Sequence, residues 1–210
     1  MKKIWIFLMV TFLLILQGCS SLNSKVVAVD SYSTVPVPGG TYYLSSETKD
    51  LELQQEAFAM NLSEMLAAKG YARVYNKKAA QYNIVFNYSS TGPLTSMQSY
   101  QVPVNPWWSS GPDMYGGIYD GYFGPQWVNS VEATTYFVKK LEVSAYSANG
   151  KPVWQVVGTM KSFNSEIRGS FDYLVSGISP FVNRSSNQIV YVDVSQDQAT
   201  GTLVPTVSDY

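Results

Sequence analysis

The chain has 210 residues, with 14 basic and 15 acidic side chains, and it is 46% hydrophobic and only 14% charged. This composition indicates one folded domain, excludes a long disordered chain or a coiled coil, and argues against a nucleic-acid partner. Histidine is absent and there is one cysteine, which excludes Ser-His-Asp and Cys-His catalytic groups and His or Cys metal clusters. We therefore expect no metal and no cofactor.

The N-terminal residues have the pattern of an export signal. Lys2 and Lys3 precede an uncharged run, residues 4–16, which is too short to span a bilayer and has the length of a signal-peptide core. The run ends in Leu16-Gln17-Gly18-Cys19, which resembles the lipobox of bacterial lipoproteins. The alternatives are an ordinary secretory signal or an uncleaved anchor.

The lipobox resemblance implies that residues 1–18 are cleaved and that Cys19 is lipidated, with palmitate among its acyl chains. Serines at 20 and 21 then favour the outer membrane of a Gram-negative bacterium, with the protein on its periplasmic face. Residues 19–24 are predicted to form a short tether. Its five residues after the cysteine span at most about 18 Å when extended, so the folded domain must lie close to the bilayer.

Two strands and a helix are predicted next along the chain. The β-branched residues of 26–32 and the short apolar run 41–44 indicate strands. Residues 49–69 indicate a helix because their apolar side chains fall on one face at helical spacing, namely Leu51, Phe58, Leu62, Met65 and Leu66. Gly70 is positioned to end this helix in a positive-φ conformation.

The second half of the chain predicts mainly strands. Residues 82–88, 136–146, 153–160 and 189–194 have strand patterns, and Asn149-Gly150 predicts a hairpin turn. A second helix is predicted after Ser170, with an apolar stripe of Phe171, Leu174, Val175 and Ile178. We predict a single α+β domain over residues 25–194, in which two helices pack on one face of a mostly antiparallel sheet. Residues 195–210 are predicted to be a loose tail, in which Leu203-Val204 could add an edge strand.

The order of these segments is similar to that of a known family. The segments are Leu66-Ala67-Ala68-Lys69-Gly70-Tyr71, then Tyr82-Asn83-Ile84-Val85-Phe86-Asn87-Tyr88, and later Phe171-Asp172-Tyr173-Leu174-Val175. Together they resemble the domain-of-unknown-function 4136 family of bacterial lipoproteins over roughly residues 26–194. Gln81-Tyr82-Asn83 departs from the Ala-Asp that the family often has. The resemblance implies a periplasmic α+β lipoprotein domain and supplies no activity or ligand.

Residues 100–127 are unusually aromatic and are predicted to form a Gly/Tyr/Trp-rich loop. These 28 residues contain eight aromatic residues, five glycines, four prolines and two charged residues, Asp113 and Asp120. Three interpretations are open: a loop folded back on the sheet, a contact surface for a partner protein, or a platform for sugar rings or the membrane interface. The residues of a possible interaction surface are Trp107, Trp108, Tyr115, Tyr119, Tyr122 and Trp127.

The sequence predicts a non-enzymatic lipoprotein with a role in envelope structure or assembly. Its expected partners are the membrane, through the lipid anchor, and an envelope protein or glycan. The alternative is a small cell-envelope hydrolase that uses carboxylates, such as Asp113 and Asp120, or a Ser/Lys pair. Lys139 and Lys140 are predicted to be solvated.

Overall fold

A single eight-stranded sheet dominates the computed structural model, which describes residues 24–34, 39–48, 52–104 and 126–208. The strands are β1 (Lys25–Ser33), β2 (Gly40–Ser46), β3 (Tyr71–Arg73), β4 (Tyr82–Val104), β5 (Gln126–Ser147), β6 (Pro152–Ser162), β7 (Val190–Gln196) and β8 (Leu203–Val207). The α-helices are α1 (Glu52–Ala68) and α2 (Arg168–Ile178), and 3₁₀ turns occur at Lys77–Ala79 and Ser179–Phe181.

The sheet is mixed, with strand order β3-β2-β4-β5-β6-β1-β7-β8. β2 pairs in parallel with both β3 and β4, and the remaining neighbours are antiparallel. The parallel part follows from α1, because a helix that connects β2 to β3 lets the second strand return in the same direction as the first.

The predicted α+β class is wrong, because the structure is largely β. Strands account for 54% of it and helices for 22%. The difference lies mainly in β4 and β5, which contain 23 and 22 residues, whereas strands of 3–10 residues are usual. β4 includes Tyr100 and β5 begins at Gln126, so the described ends of the predicted aromatic loop are strands.

Both helices contribute to one hydrophobic core on one side of the sheet. α1 buries Phe58, Leu62, Met65 and Leu66 of the predicted stripe, with Leu62 and Leu66 completely inaccessible to solvent. Leu51, the first residue of that stripe, lies outside the described residues. Phe58 of α1 stacks on Phe171 of α2, with ring centroids 3.8 Å apart, and Tyr88 of β4 meets the Phe58 ring edge-on at 4.9 Å. These aromatic contacts hold the two helices together above the centre of the sheet. None of the described helices is long and apolar enough to cross a bilayer.

The predicted chain reversals occur where the sequence places them. Gly70 ends α1 with φ at 85°, a conformation that is strained for residues with a Cβ atom, and its N–H donates to the Ala67 carbonyl. Asn149 and Gly150 lie in the turn between β5 and β6. In the segment predicted to be a loose tail, β7 continues to Gln196 and β8 forms an edge strand that pairs with it.

Candidate functional site

The long strands β4 and β5 leave the sheet together as a two-stranded arm, which we define as residues 94–104 and 126–136. Within the described residues, β2 pairs with β4 only over residues 82–86, and β6 pairs with β5 only over residues 137–146. Beyond those points the two strands pair only with each other, as far as Val104 and Gln126. Eleven residues at about 3.4 Å each make the arm about 37 Å long.

A change of register marks the base of the arm. The pairing shifts between Thr91, which lies opposite Val138, and Leu94, which lies opposite Tyr136. Gly92 and Pro93 therefore share one residue of β5, Phe137, as their counterpart. Such a bulge bends the strand and increases its twist. Gly92 has φ at 142°, and a Cβ atom built there would lie 3.0 Å from the Phe137 ring. The bulge therefore needs glycine both for its backbone conformation and for space.

The arm exposes apolar side chains and carries almost no charge. The most exposed of these side chains is Met97, at 74%, followed by Val131, at 64%; the others are Leu94, Tyr100, Val102 and Val128. Glu132 is the one charged residue in the two described strands of the arm. A two-stranded ribbon is at best marginally stable in water by itself, and exposed apolar surface of this kind is typical of an interaction site.

A buried lysine lies beside the base of the arm, where the sequence predicts a solvated pair. That prediction is wrong for Lys139, which is 0% exposed, because strand alternation turns it toward the helices. Its neighbour Lys140 points the other way and forms an ion pair with Glu142 at 2.8 Å.

The ammonium group of Lys139 connects three segments. It donates hydrogen bonds to Ser90 Oγ, at 2.7 Å, and to the carbonyl of Ser165 in the loop between β6 and α2. Ser90 Oγ also donates to the Ser165 carbonyl, at 2.9 Å. Burial lowers the pKa of Lys139, while the charge of Glu166 opposes this shift. The contacts fasten the β6–α2 loop to the base of the arm.

The face of the sheet opposite the helices, which we call the open face, contains a shallow groove. It has a volume of about 400 Å³. The groove is lined mainly by Val26, Ala28, Val138, Thr159, Lys161 and Tyr191. Lys161 extends its ammonium group to 5.0 Å from the centre of the Tyr136 ring, which brings the groove to the base of the arm. Tyr32, on the same face, is 63% exposed.

Most of the residues singled out from the sequence lie outside the described residues. These are Cys19, Trp107, Trp108, Tyr115, Tyr119 and Tyr122, together with Asp113 and Asp120. The backbone of Trp127 lies in β5, opposite Pro103. The arm, the open-face groove and the Ser90–Lys139 contact were not predicted. The β-branched residues Val128, Val131, Thr134 and Thr135 offered only a weak signal of a strand before residue 136.

Comparison with known proteins gives structural likeness only. No family model matches the chain, and no curated protein matches it. A PDZ domain protein from Parabacteroides distasonis is 10% identical, with a TM-score of 0.46. The comparison covers 82% of this chain, which spans only 40% of the length of that protein. The PelC dodecamer from Paraburkholderia phytofirmans is 14% identical, with 76% of this chain and 99% of that chain covered and a TM-score of 0.41.

A third similar structure belongs to the family that the sequence resembles. It is a domain-of-unknown-function 4136 protein from Bacteroides thetaiotaomicron, 18% identical, with 71% of this chain and 91% of that chain covered and a TM-score of 0.39.

Proposed function

We propose that this protein is a non-enzymatic lipoprotein of the bacterial outer membrane that faces the periplasm and contributes to envelope structure or assembly through protein or glycan contacts. The lipobox-like segment ending at Cys19 and the short tether support the anchoring. The open face supports the contacts. The observation that carries the proposal is the apolar surface that this face leaves uncovered in the described residues.

The open face has the character of a binding surface for another macromolecule. It combines aliphatic side chains in the groove with the exposed aromatic rings of Tyr32 and Tyr191, which are 63% and 46% accessible. Tyrosine provides a large apolar area and a hydroxyl group at low entropic cost, which suits both protein and sugar contacts. Lys161 at the edge of the groove adds a single positive charge.

Site-specific photocrosslinking in intact cells tests the contact. A photoreactive residue at Tyr32 should give a discrete crosslinked product with an envelope protein, or should retain the chain on isolated peptidoglycan. The same residue at Tyr75, which is 84% exposed but lies after β3 away from the open face, serves as the matched control. Equal products from both positions, or none from either, would contradict a specific contact on the open face.

The predicted aromatic surface has its own test. If Trp107, Trp108 and Trp127 serve a partner, their joint replacement by Ala should abolish crosslinks while the thermal melt is retained, because surface changes usually stay within about 0.5 kcal/mol each. If they are core residues, each truncation should cost about 3–5 kcal/mol. A triple variant that keeps both its stability and its partners would contradict both interpretations.

One observation favours the alternative of a hydrolase with a Ser/Lys pair. Lys139 Nζ lies 2.7 Å from Ser90 Oγ, and burial lowers the pKa of the lysine. A lysine that loses its proton in such a contact can act as a general base toward serine. A fluorophosphonate probe distinguishes the two functions: labelling of Ser90 that disappears in Ser90→Ala and Lys139→Met would favour the hydrolase. The proposed binding protein should remain unlabelled.

A further inference from the structure

The arm and the lipid tether leave the domain from the same end of the sheet. Ala28 of β1 pairs with Thr159 of β6, and Thr159 pairs with Lys140 of β5. Counting back three residues on each strand brings Lys25, the first residue of β1, level with Phe137, where β5 emerges from the arm. β1 and β5 are both antiparallel to β6 and therefore run in the same direction, separated by two strand spacings of about 10 Å in total.

The lengths of the tether and the arm determine where the arm can lie. If Cys19 is held in the bilayer, five tether residues keep the start of β1 within about 18 Å of it. The arm extends about 37 Å from the same end of the sheet. It is therefore longer than the gap that the tether allows between the domain and the bilayer.

The chemistry of the arm excludes a position deep in the hydrocarbon. A two-stranded ribbon has unpaired N–H and C=O groups along both edges, and these need water or another polar partner. Glu132 would add the cost of a buried carboxylate. In the headgroup layer, by contrast, water still satisfies the strand edges. Met97 and Val131, the two most exposed apolar side chains of the arm, lie on the same face of the ribbon and can enter the apolar boundary together.

We propose that the arm lies along the membrane surface, with the face that contains Met97 and Val131 in the headgroup layer, and so forms a second attachment to the bilayer beside the lipid anchor. The bulge at Gly92 and Pro93 supplies the bend that directs the ribbon away from the axis of the sheet. The near absence of charge on the arm fits a contact that depends on apolar burial rather than on attraction to anionic lipid. This inference rests on the anchoring at Cys19 that the proposed function contains.

Depth-dependent fluorescence quenching tests the proposal. The full lipidated chain with Val131→Cys, labelled with bimane, is reconstituted into vesicles of phosphatidylethanolamine and phosphatidylglycerol that contain brominated lipids. Bromine near the glycerol backbone should quench the label strongly, and bromine at the chain ends should quench it weakly. The matched control is Asn149→Cys, in the turn at the opposite end of β5, where neither lipid should quench.

The possible results separate this inference from the anchoring itself. An acylated chain, identified by its mass, whose label at 131 is no better quenched than the label at 149 would overturn the arm proposal and leave the anchoring intact. Strong quenching by the deep bromine would overturn the surface position. Disulfide-linked dimers of unlabelled Val131→Cys without quenching would assign the arm to a second copy instead. If mass analysis shows that the chain purified from cells carries no lipid on Cys19, the anchor is refuted, whereas quenching at 131 in that chain would still support contact by the arm.

Discussion

Replacing Gly177 by Ala should weaken the packing of α2 on the sheet. A Cβ atom at this position would lie 2.8 Å from Cβ and Cγ2 of Val27 and 2.9 Å from its Cγ1. Val27 is fully buried in β1, and its branched side chain has few alternative rotamers. The added methyl group therefore cannot be accommodated without moving the helix or the strand.

The expected cost is that of overpacking a core, about 1–3 kcal/mol. The Gly→Ala change also improves helix propensity by up to about 1 kcal/mol, which would hide part of the effect. Gly169→Ala provides the matched control, because Gly169 lies on the same helix and a Cβ atom there meets no atom within 4 Å. The difference between the two variants isolates the clash.

Chemical denaturation with circular dichroism measures the effect. Gly177→Ala should be about 1–3 kcal/mol less stable than Gly169→Ala, and its melting temperature should be lower by about 2–4 °C per kcal/mol for a chain of this size. In a double-mutant cycle, Val27→Ala removes the clashing side chain, so Gly177→Ala should destabilise the Val27→Ala variant less than the original chain. The coupling energy between the two changes should be about 0.5–3 kcal/mol. Equal stability of the two alanine variants, or strict additivity with Val27→Ala, would refute the packing of α2 on β1.

Cys19→Ala should prevent acylation and move the protein out of the membrane fraction, and labelled fatty acid in the variant would contradict the lipobox. Leu62→Ala should cost about 2–5 kcal/mol, because Leu62 is completely buried, and an unchanged denaturation midpoint would exclude Leu62 from the core. Burial raises the pKa of Tyr42 and Tyr71 above 10.0. Because the unfolded chain ionises them first, the free energy of unfolding should fall as the pH rises above 10.0. Phenolate absorbance that develops fully before alkaline unfolding would contradict their burial.

Local patterns predicted those elements whose causes are local. The stripe of Phe58, Leu62 and Leu66 predicted α1, and Gly70 predicted its end, because helical periodicity and a positive-φ stop are properties of neighbouring residues. The Asn149-Gly150 turn similarly predicted the β5–β6 hairpin.

The features that sequence analysis missed depend on distant parts of the chain. The parallel pairing of β2 with β4 depends on how α1 crosses the sheet, which no residue of β2 encodes by itself. The arm was missed because Ser, Thr, Gly and Pro interrupt the apolar alternation after Tyr88. The burial of Lys139 could not be inferred either, since its partners Ser90 and Ser165 come from other segments.

The position of β1 has a consequence for the order in which the chain can fold. This first strand forms its hydrogen bonds with β6 over residues 154–159 and with β7 over residues 190–194. Both neighbours are encoded more than a hundred residues later, and contacts of such separation slow folding. Because synthesis begins at the N-terminus, β1 is made first, and its residues Val27 and Val29 cannot be buried in the completed sheet until almost the whole chain has been synthesised. If the chain is exported before residues 190–194 have been synthesised, its sheet is still incomplete, so no completed sheet has to be unfolded first.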